Sequence, residues 1–272
     1  MKPTWNKGIA RWEVNDTLYL SVPFTWLLKE ANQIAEKWNK GKVLIGGSAL
    51  MKPNQCDGFE PILFHNPLAT FTTRGCPNNC SFCAVPKLEG DLKEIPDFRP
   101  APIVCDNNIL ASSKKHLERV VQKLKYYPSV DFNQGLDCEL FTSDIIEILQ
   151  NIKFNPRFAF DSWASETSVK DAIDLCHSHG LKDITVYCLI NFNDSPEDAR
   201  AKLEAIRTWG ALPFPMRYQP ITTTEKDDYI APNWTERELR DICRYYSKLI
   251  WLGHIPFEDY NKTDQMSFDG VL

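Results

Sequence analysis

The sequence predicts an α/β protein, and three observations lead to that class. From about residue 65 onward short apolar runs alternate with segments of helical period. Several of those segments carry readable start and stop residues. The order strand, helix, strand recurs about six times, which implies parallel strands joined by right-handed crossovers. An open sheet or a partly closed barrel satisfies that pattern.

The elements follow in chain order. Thr17–Val22 reads as a strand, Phe24–Trp38 as a helix and Val43–Ile45 as a strand running into Gly46-Gly47. This makes residues 1–64 a truncated Rossmann-like βαβ segment, a small N-terminal appendage. The next strands are Ala69–Thr73, Ile103–Asp106, Val130–Asn133, Arg157–Phe160, Asp183–Ile190 and Pro215–Gln219. Between them, Leu117, Val120, Val121 and Leu124 keep helical spacing after Ser112-Ser113, and Thr142 opens a second helix. Ser165 opens a third, with Val169, Ala172, Ile173 and Cys176 on one face and Gly180 as its stop. Ser195-Pro196-Glu197-Asp198 combines an N-cap hydroxyl, a proline in the first turn and two carboxylates near the helix N-terminus. Thr235 and Glu238 fit a capping box that opens a last helix. The expected division is 1–64, a core of 65–225, and a helical extension of 226–272.

Composition excludes some functions. Of 272 residues 43% are hydrophobic and 25% charged, ordinary values for a globular chain. A formal charge of -5 gives no global attraction to nucleic acid. No apolar run reaches the roughly 18 residues of a membrane span, and Met1-Lys2-Pro3-Thr4-Trp5 lacks the layout of a secretory signal. A cytoplasmic enzyme without membrane contact is expected. Nine cysteines, unevenly spaced, suit metal or redox chemistry better than a disulfide scaffold.

The most informative segment is Thr72-Thr73-Arg74-Gly75-Cys76-Pro77-Asn78-Asn79-Cys80-Ser81-Phe82-Cys83. Soft thiolates at this spacing suit an iron–sulfur cluster or zinc. A structural zinc site wants a second local ligand pair, which the chain lacks. Three ligands on a four-iron cube leave one iron open to a further ligand.

Cys-x3-Cys-x2-Cys with Phe82 before the last cysteine resembles the radical S-adenosylmethionine (radical SAM) superfamily. That resemblance implies a partial (β/α)6 TIM-like barrel and a [4Fe–4S] cluster on Cys76, Cys80 and Cys83. It also implies reductive cleavage of S-adenosylmethionine to a 5′-deoxyadenosyl radical that abstracts hydrogen from a substrate. Arg74 through Gly90 resembles the cluster loop of methylthiotransferases, and Asn191 through Asp198 stands where their Gly-Phe-Pro-Gly-Glu-Thr turn occurs. Gly46-Gly47 resembles the strand end of cobalamin-domain-type radical SAM proteins. The departures are that only Cys56 lies upstream of Cys76, and that no Asp-x-His-x-x-Gly ligand sequence for cobalamin is present. The implied partners are a reductant such as flavodoxin or ferredoxin and an RNA, protein or small-molecule substrate. Two alternatives stay open: an iron–sulfur electron carrier or redox sensor without turnover, and a nucleic-acid module with structural zinc.

Ligands in parallel α/β folds sit at the C-terminal ends of strands. That rule selects Asp106 and Asn107 after the second core strand, Asp161 and Ser162 after the fourth, and Asn191 after the fifth. Arg217 on the sixth suits an anionic group. With S-adenosylmethionine as the implied cofactor, these six are the candidates to bind it, Arg217 by pairing with the cofactor's carboxylate or else with substrate, and the resemblance places Phe82 near the adenine. Gln134 and Asp137 after the third strand are candidates for substrate. Each has a plainer reading as a turn, cap or salt-bridge residue. The stripe Arg237, Arg240, Arg244 and Lys248 reads first as a solvated helix face and second as an RNA contact.

Overall fold

Two adjacent left-handed residues, Asn15 (φ 46°) and Asp16 (φ 62°), set the first element. They form a two-residue turn of the kind that hairpins favour, joining β1 (Ala10–Val14) to β2 (Thr17–Ser21) in antiparallel register from Val14↔Thr17 to Ala10↔Ser21. The structure, a computed structural model, describes residues 5–50, 59–249 and 253–260. Cys56 lies outside them. After β2 comes α1 (Leu28–Glu36), then β3 (Val43–Gly46), which pairs parallel to β2. The sheet order is β1-β2-β3, and Leu18, Leu20 and Val22 pack with Ala31 of α1. On its other face Trp12 stacks on Tyr19 at 5.4 Å and on Phe64 at 4.0 Å. β1 and the hairpin were not anticipated from the sequence.

The chain divides into two compact units, Met1–Asn155 with Pro220–Asp228, and Pro156–Gln219 with Tyr229–Leu272. The first continues through α2 (Ile62–His65), β4 (Ala69–Thr70), β5 (Thr73–Arg74), α3 (Val85–Leu88), β6 (Lys93–Glu94), β7 (Ile103–Val104), α4 (Lys114–Leu124), β8 (Asp131–Phe132) and α5 (Ser143–Leu149). β4, β7 and β8 form a parallel ladder, and β5 pairs antiparallel with β6. Ser113 caps α4 by accepting the His116 N–H, and α4 buries Leu117, Val120, Val121 and Leu124.

The second unit holds β9 (Arg157–Ala159), α6 (Glu166–Ser178), β10 (Thr185–Ile190), α7 (Pro196–Thr208), β11 (Leu212–Arg217) and α8 (Glu236–Ser247). Its sheet is parallel, with order β11-β10-β9. Ser195 accepts the Asp198 N–H at the start of α7, and Thr235 and Glu238 make both bonds of a capping box on α8. α7 buries Leu203 and Ile206 completely, each contributing about 1.5–3 kcal/mol. β11 is an edge strand containing Pro213 and Pro215. Leu212 donates to the Ile184 carbonyl and Tyr218 to that of Ile190, so even-numbered donors face β10. The two prolines therefore stand where N–H groups would otherwise point off the free edge, which protects the sheet from edge pairing.

The expected partial (β/α)6 TIM-like barrel is corrected here. Barrel closure needs a staggered ladder that runs through every strand. The parallel strands instead form separate open sheets, and in the first unit the described residues add to them only the isolated bridge Val130↔Phe154. One physical cause is visible at Thr72. Its N–H donates to the Asp106 carboxylate at 2.6 Å rather than to a neighbouring strand, so the expected strand Ala69–Thr73 ends at Thr70.

Candidate functional site

Both parallel ladders of the first unit end on one cavity of about 890 Å³. Ser21, Pro23, Gly47 and Ser48 reach it from the carboxyl ends of β2 and β3. Phe71, Asn107, Asn133 and Gln134 reach it from beyond β4, β7 and β8. This is where parallel α/β sheets place ligands, and the size suits a small organic molecule. Trp5, Phe24, Phe59 and Ile62 add apolar wall.

Glycine is required at Gly47, where φ is 109° and a Cβ would meet the Val22 carbonyl oxygen at 2.4 Å. The charged part of the wall is neutralised from within. Arg74 pairs with Glu89 at 2.5 Å and lies 3.8 Å above the Phe71 ring. Glu89 also accepts the Gly75 N–H and the Asn107 amide, each at 2.8 Å. Burial lowers the pKa of Arg74, with Glu89 opposing that shift. Glu60 on the same wall pairs with Arg99 at 3.5 Å, and Lys7 adds a cation; the other polar groups that line the cavity include hydroxyls and side-chain amides.

Ser21 and His65 also stand on this wall, and sequence reasoning missed them. His65 Nε2 lies 2.9 Å from Ser21 Oγ, and its Nδ1 lies 3.0 Å from the Asn6 carbonyl oxygen. A carbonyl only accepts, so Nδ1 carries the proton in the neutral ring and Nε2 accepts from the serine hydroxyl. The pair is separated by 44 positions, and no local sequence signal joins them.

The residues selected from the sequence fall into both units. In the first, Asn107 and Gln134 line the cavity. Asp106 is buried, and its carboxylate accepts from the Thr72 N–H and hydroxyl. Burial pushes it up to about 6, against the effect of those bonds. Asp137 accepts from the Asn78 amide at 3.1 Å and the Asn108 amide at 2.7 Å, tying the cysteine segment to the loop after β7. Phe82 is half-buried.

In the second unit, the Asn191 amide donates to the carbonyls of Tyr218 and Tyr229 and accepts the Ala231 N–H. From the end of β10, at a φ of 69°, it holds the chain beyond β11 rather than facing outward. Asp161 has its carboxyl pKa raised by burial, with a backbone bond from Leu189 and the charge of Lys202 opposing. The Ser162 carbonyl accepts from Ser165, and Arg217 pairs with Glu236 at 2.9 Å. Arg237 and Arg240 both pair with Asp241.

The cysteine segment does not assemble into a metal centre. Gly75, at φ 76°, packs where a Cβ would lie 2.2 Å from the Asp91 carbonyl oxygen. The Cys76 N–H donates to Gly90 and the Cys83 N–H to Cys80. Cys76 Sγ accepts from the Asn78 N–H and Cys83 Sγ from the Val85 N–H, both at 3.4 Å. Cys80 is exposed, whereas Cys76 and Cys83 are half-buried. Among the described residues no group of three or more His, Cys, Asp or Glu side chains is arranged to hold a metal ion.

No protein-family model, curated protein or solved structure matches the chain. The expected membership of the radical SAM superfamily is corrected on these two findings. With it go the [4Fe–4S] cluster, S-adenosylmethionine cleavage, the electron-carrier alternative and the flavodoxin or ferredoxin partner that such a cluster would need. The physical reason is that spacing places thiols along the chain but does not aim them. Metal ligation requires sulfur atoms to converge to about 2.3 Å from the ion. Among the described residues no helix is long and apolar enough to cross a membrane.

Proposed function

We infer that the first unit binds a small, uncharged, planar organic molecule in the cavity at its strand ends. The observation that carries this reading is the meeting of two sets of parallel strand ends on one cavity of ligand size. Phe24 and Phe71 supply faces for the planar part, and the amides of Asn107, Asn133 and Gln134 supply donors and acceptors for its polar edge. Pairing of Arg74 with Glu89 and of Glu60 with Arg99, with Lys7 the further cation on the wall, favours a ligand of low charge. In this reading the 1–64 segment supplies one wall of the site and the start of the 65–225 segment supplies the other.

The test is a fluorescence titration with 2-naphthol, a bicyclic ring bearing one hydroxyl. Saturable binding tighter than about 1 mM is expected, corresponding to at least about 4 kcal/mol. Phe24→Ala and Gln134→Leu should each weaken it severalfold while the thermal transition stays in place. Absence of saturable binding, or equal binding to both variants, would count against the cavity.

A further inference from the structure

We propose that Ser21 is an acyl-accepting nucleophile and His65 its general base, giving the cavity a slow esterase activity toward small aryl esters. This rests on the cavity reading above and adds chemistry to it. Three features meet at one point. Ser21 Oγ is 2.9 Å from His65 Nε2, within the reach a base needs to take a hydroxyl proton. His65 Nδ1 is 3.0 Å from the Asn6 carbonyl, which fixes the tautomer that leaves Nε2 free to accept. The Asn6 N–H in turn donates to the His65 carbonyl at 2.8 Å, so the orienting group is held by the residue it orients.

Both members of the pair line the cavity, so an ester bound there has access to the hydroxyl. Ser21 closes β2, opposite Gly46 of β3, and is thereby fixed on a rigid strand end rather than on a loop. Asn133 and Gln134 place side-chain amide donors on the wall of the same cavity.

Ser21 Oγ bonds to the ester carbonyl carbon as its proton passes to His65 Nε2. The carbon–oxygen bond to the aryl alcohol then breaks, and that alcohol leaves with the proton from His65. Water, deprotonated by His65, attacks the acyl-serine; the acid is released and Ser21 recovers its proton. No oxidant or reductant is involved. A backbone carbonyl stabilises the transient imidazolium less than a buried carboxylate does, so turnover should be slow and the acyl-serine readily trapped.

The experiment uses the full chain with 2-naphthyl acetate as substrate and a fluorophosphonate as trap. Wild type should release 2-naphthol above the buffer rate, and peptide mapping should place a single phosphonyl adduct on Ser21. Ser21→Ala should abolish both signals. His65→Gln should slow labelling at least 10-fold. Mapping on wild type needs no variant, so misfolding cannot mimic the result. Saturable 2-naphthol binding without a Ser21 adduct would overturn this inference alone. Failure of 2-naphthol to bind would overturn the cavity reading beneath it.

Discussion

Replacing Lys202 by methionine keeps an unbranched side chain, one heavy atom shorter, and removes its charge from the interior of the second unit. Lys202 is 2% exposed and Asp194 7%, and the two meet at 3.4 Å. The ammonium also donates to the carbonyls of Leu189 at 3.0 Å and Asp161 at 3.3 Å, which uses its three protons. Removing one partner of a buried ion pair costs about 3–5 kcal/mol, because the other charge stays behind. Asp194 keeps donors from Trp234 Nε1 and the Phe192 N–H, both at 3.2 Å, which puts the loss near the lower bound. About 3 kcal/mol corresponds to a fall of about 5 °C in the unfolding midpoint of a chain this size. Urea denaturation of Lys202→Met measures it directly. The double variant Lys202→Met/Asp194→Asn should recover part of the loss, since it leaves no unpaired charge. A single variant within about 0.5 kcal/mol of wild type would refute the reasoning.

Two further outcomes follow from the first unit. Asp137→Ala frees Asn78 and Asn108 from their shared carboxylate. It should cost about 1–2 kcal/mol and speed alkylation of Cys80 by iodoacetamide; an unchanged alkylation rate would remove Asp137 as the clamp on that segment. Asp106 has a folded pKa raised from 3.8 to about 6, so the folded state binds its proton more tightly. Its contribution is full below the unfolded pKa and is lost as pH rises through the folded one, by up to about 3 kcal/mol. Wild type minus Asp106→Asn, followed by urea denaturation from pH 4 to 7, should show that decline; a flat difference would contradict it.

Local signals were legible where a single side chain closes a bond within its own turn. Thr235 with Glu238, Ser195 with Asp198, and Ser113 with His116 are of this kind. Gly180 takes its left-handed φ of 77° just after α6. Thr142 and Ser165 read equally well as caps, but their hydroxyls accept no N–H from the first turn of their helices. Ladder continuity was not legible, because the alternation that marks a strand says nothing about where its N–H groups go. Thr72 gives its N–H to Asp106, 34 positions away.

Within the site, the rule that ligands collect at strand ends found Asn107 and Gln134 on the cavity wall. The same rule selected Asn191, whose amide is consumed by backbone groups, and Asp137, which serves as a clamp. Strand ends need backbone satisfaction as much as they offer ligand contacts, and residue type does not separate the two uses. Ser21 and His65 escaped notice because they sit 44 positions apart, on β2 and α2, and are joined only by the fold. The cysteine spacing misled for a related reason: it is a statement about chain distance, whereas ligation is a statement about direction.

The most direct test of the central claim is to locate 2-naphthol on the protein by intermolecular nuclear Overhauser effects. Ring protons near Phe24 and Phe71, with the hydroxyl near Asn107 or Gln134, are the predicted result. Contacts confined to the second unit, or none at all at saturating 2-naphthol, would contradict the account.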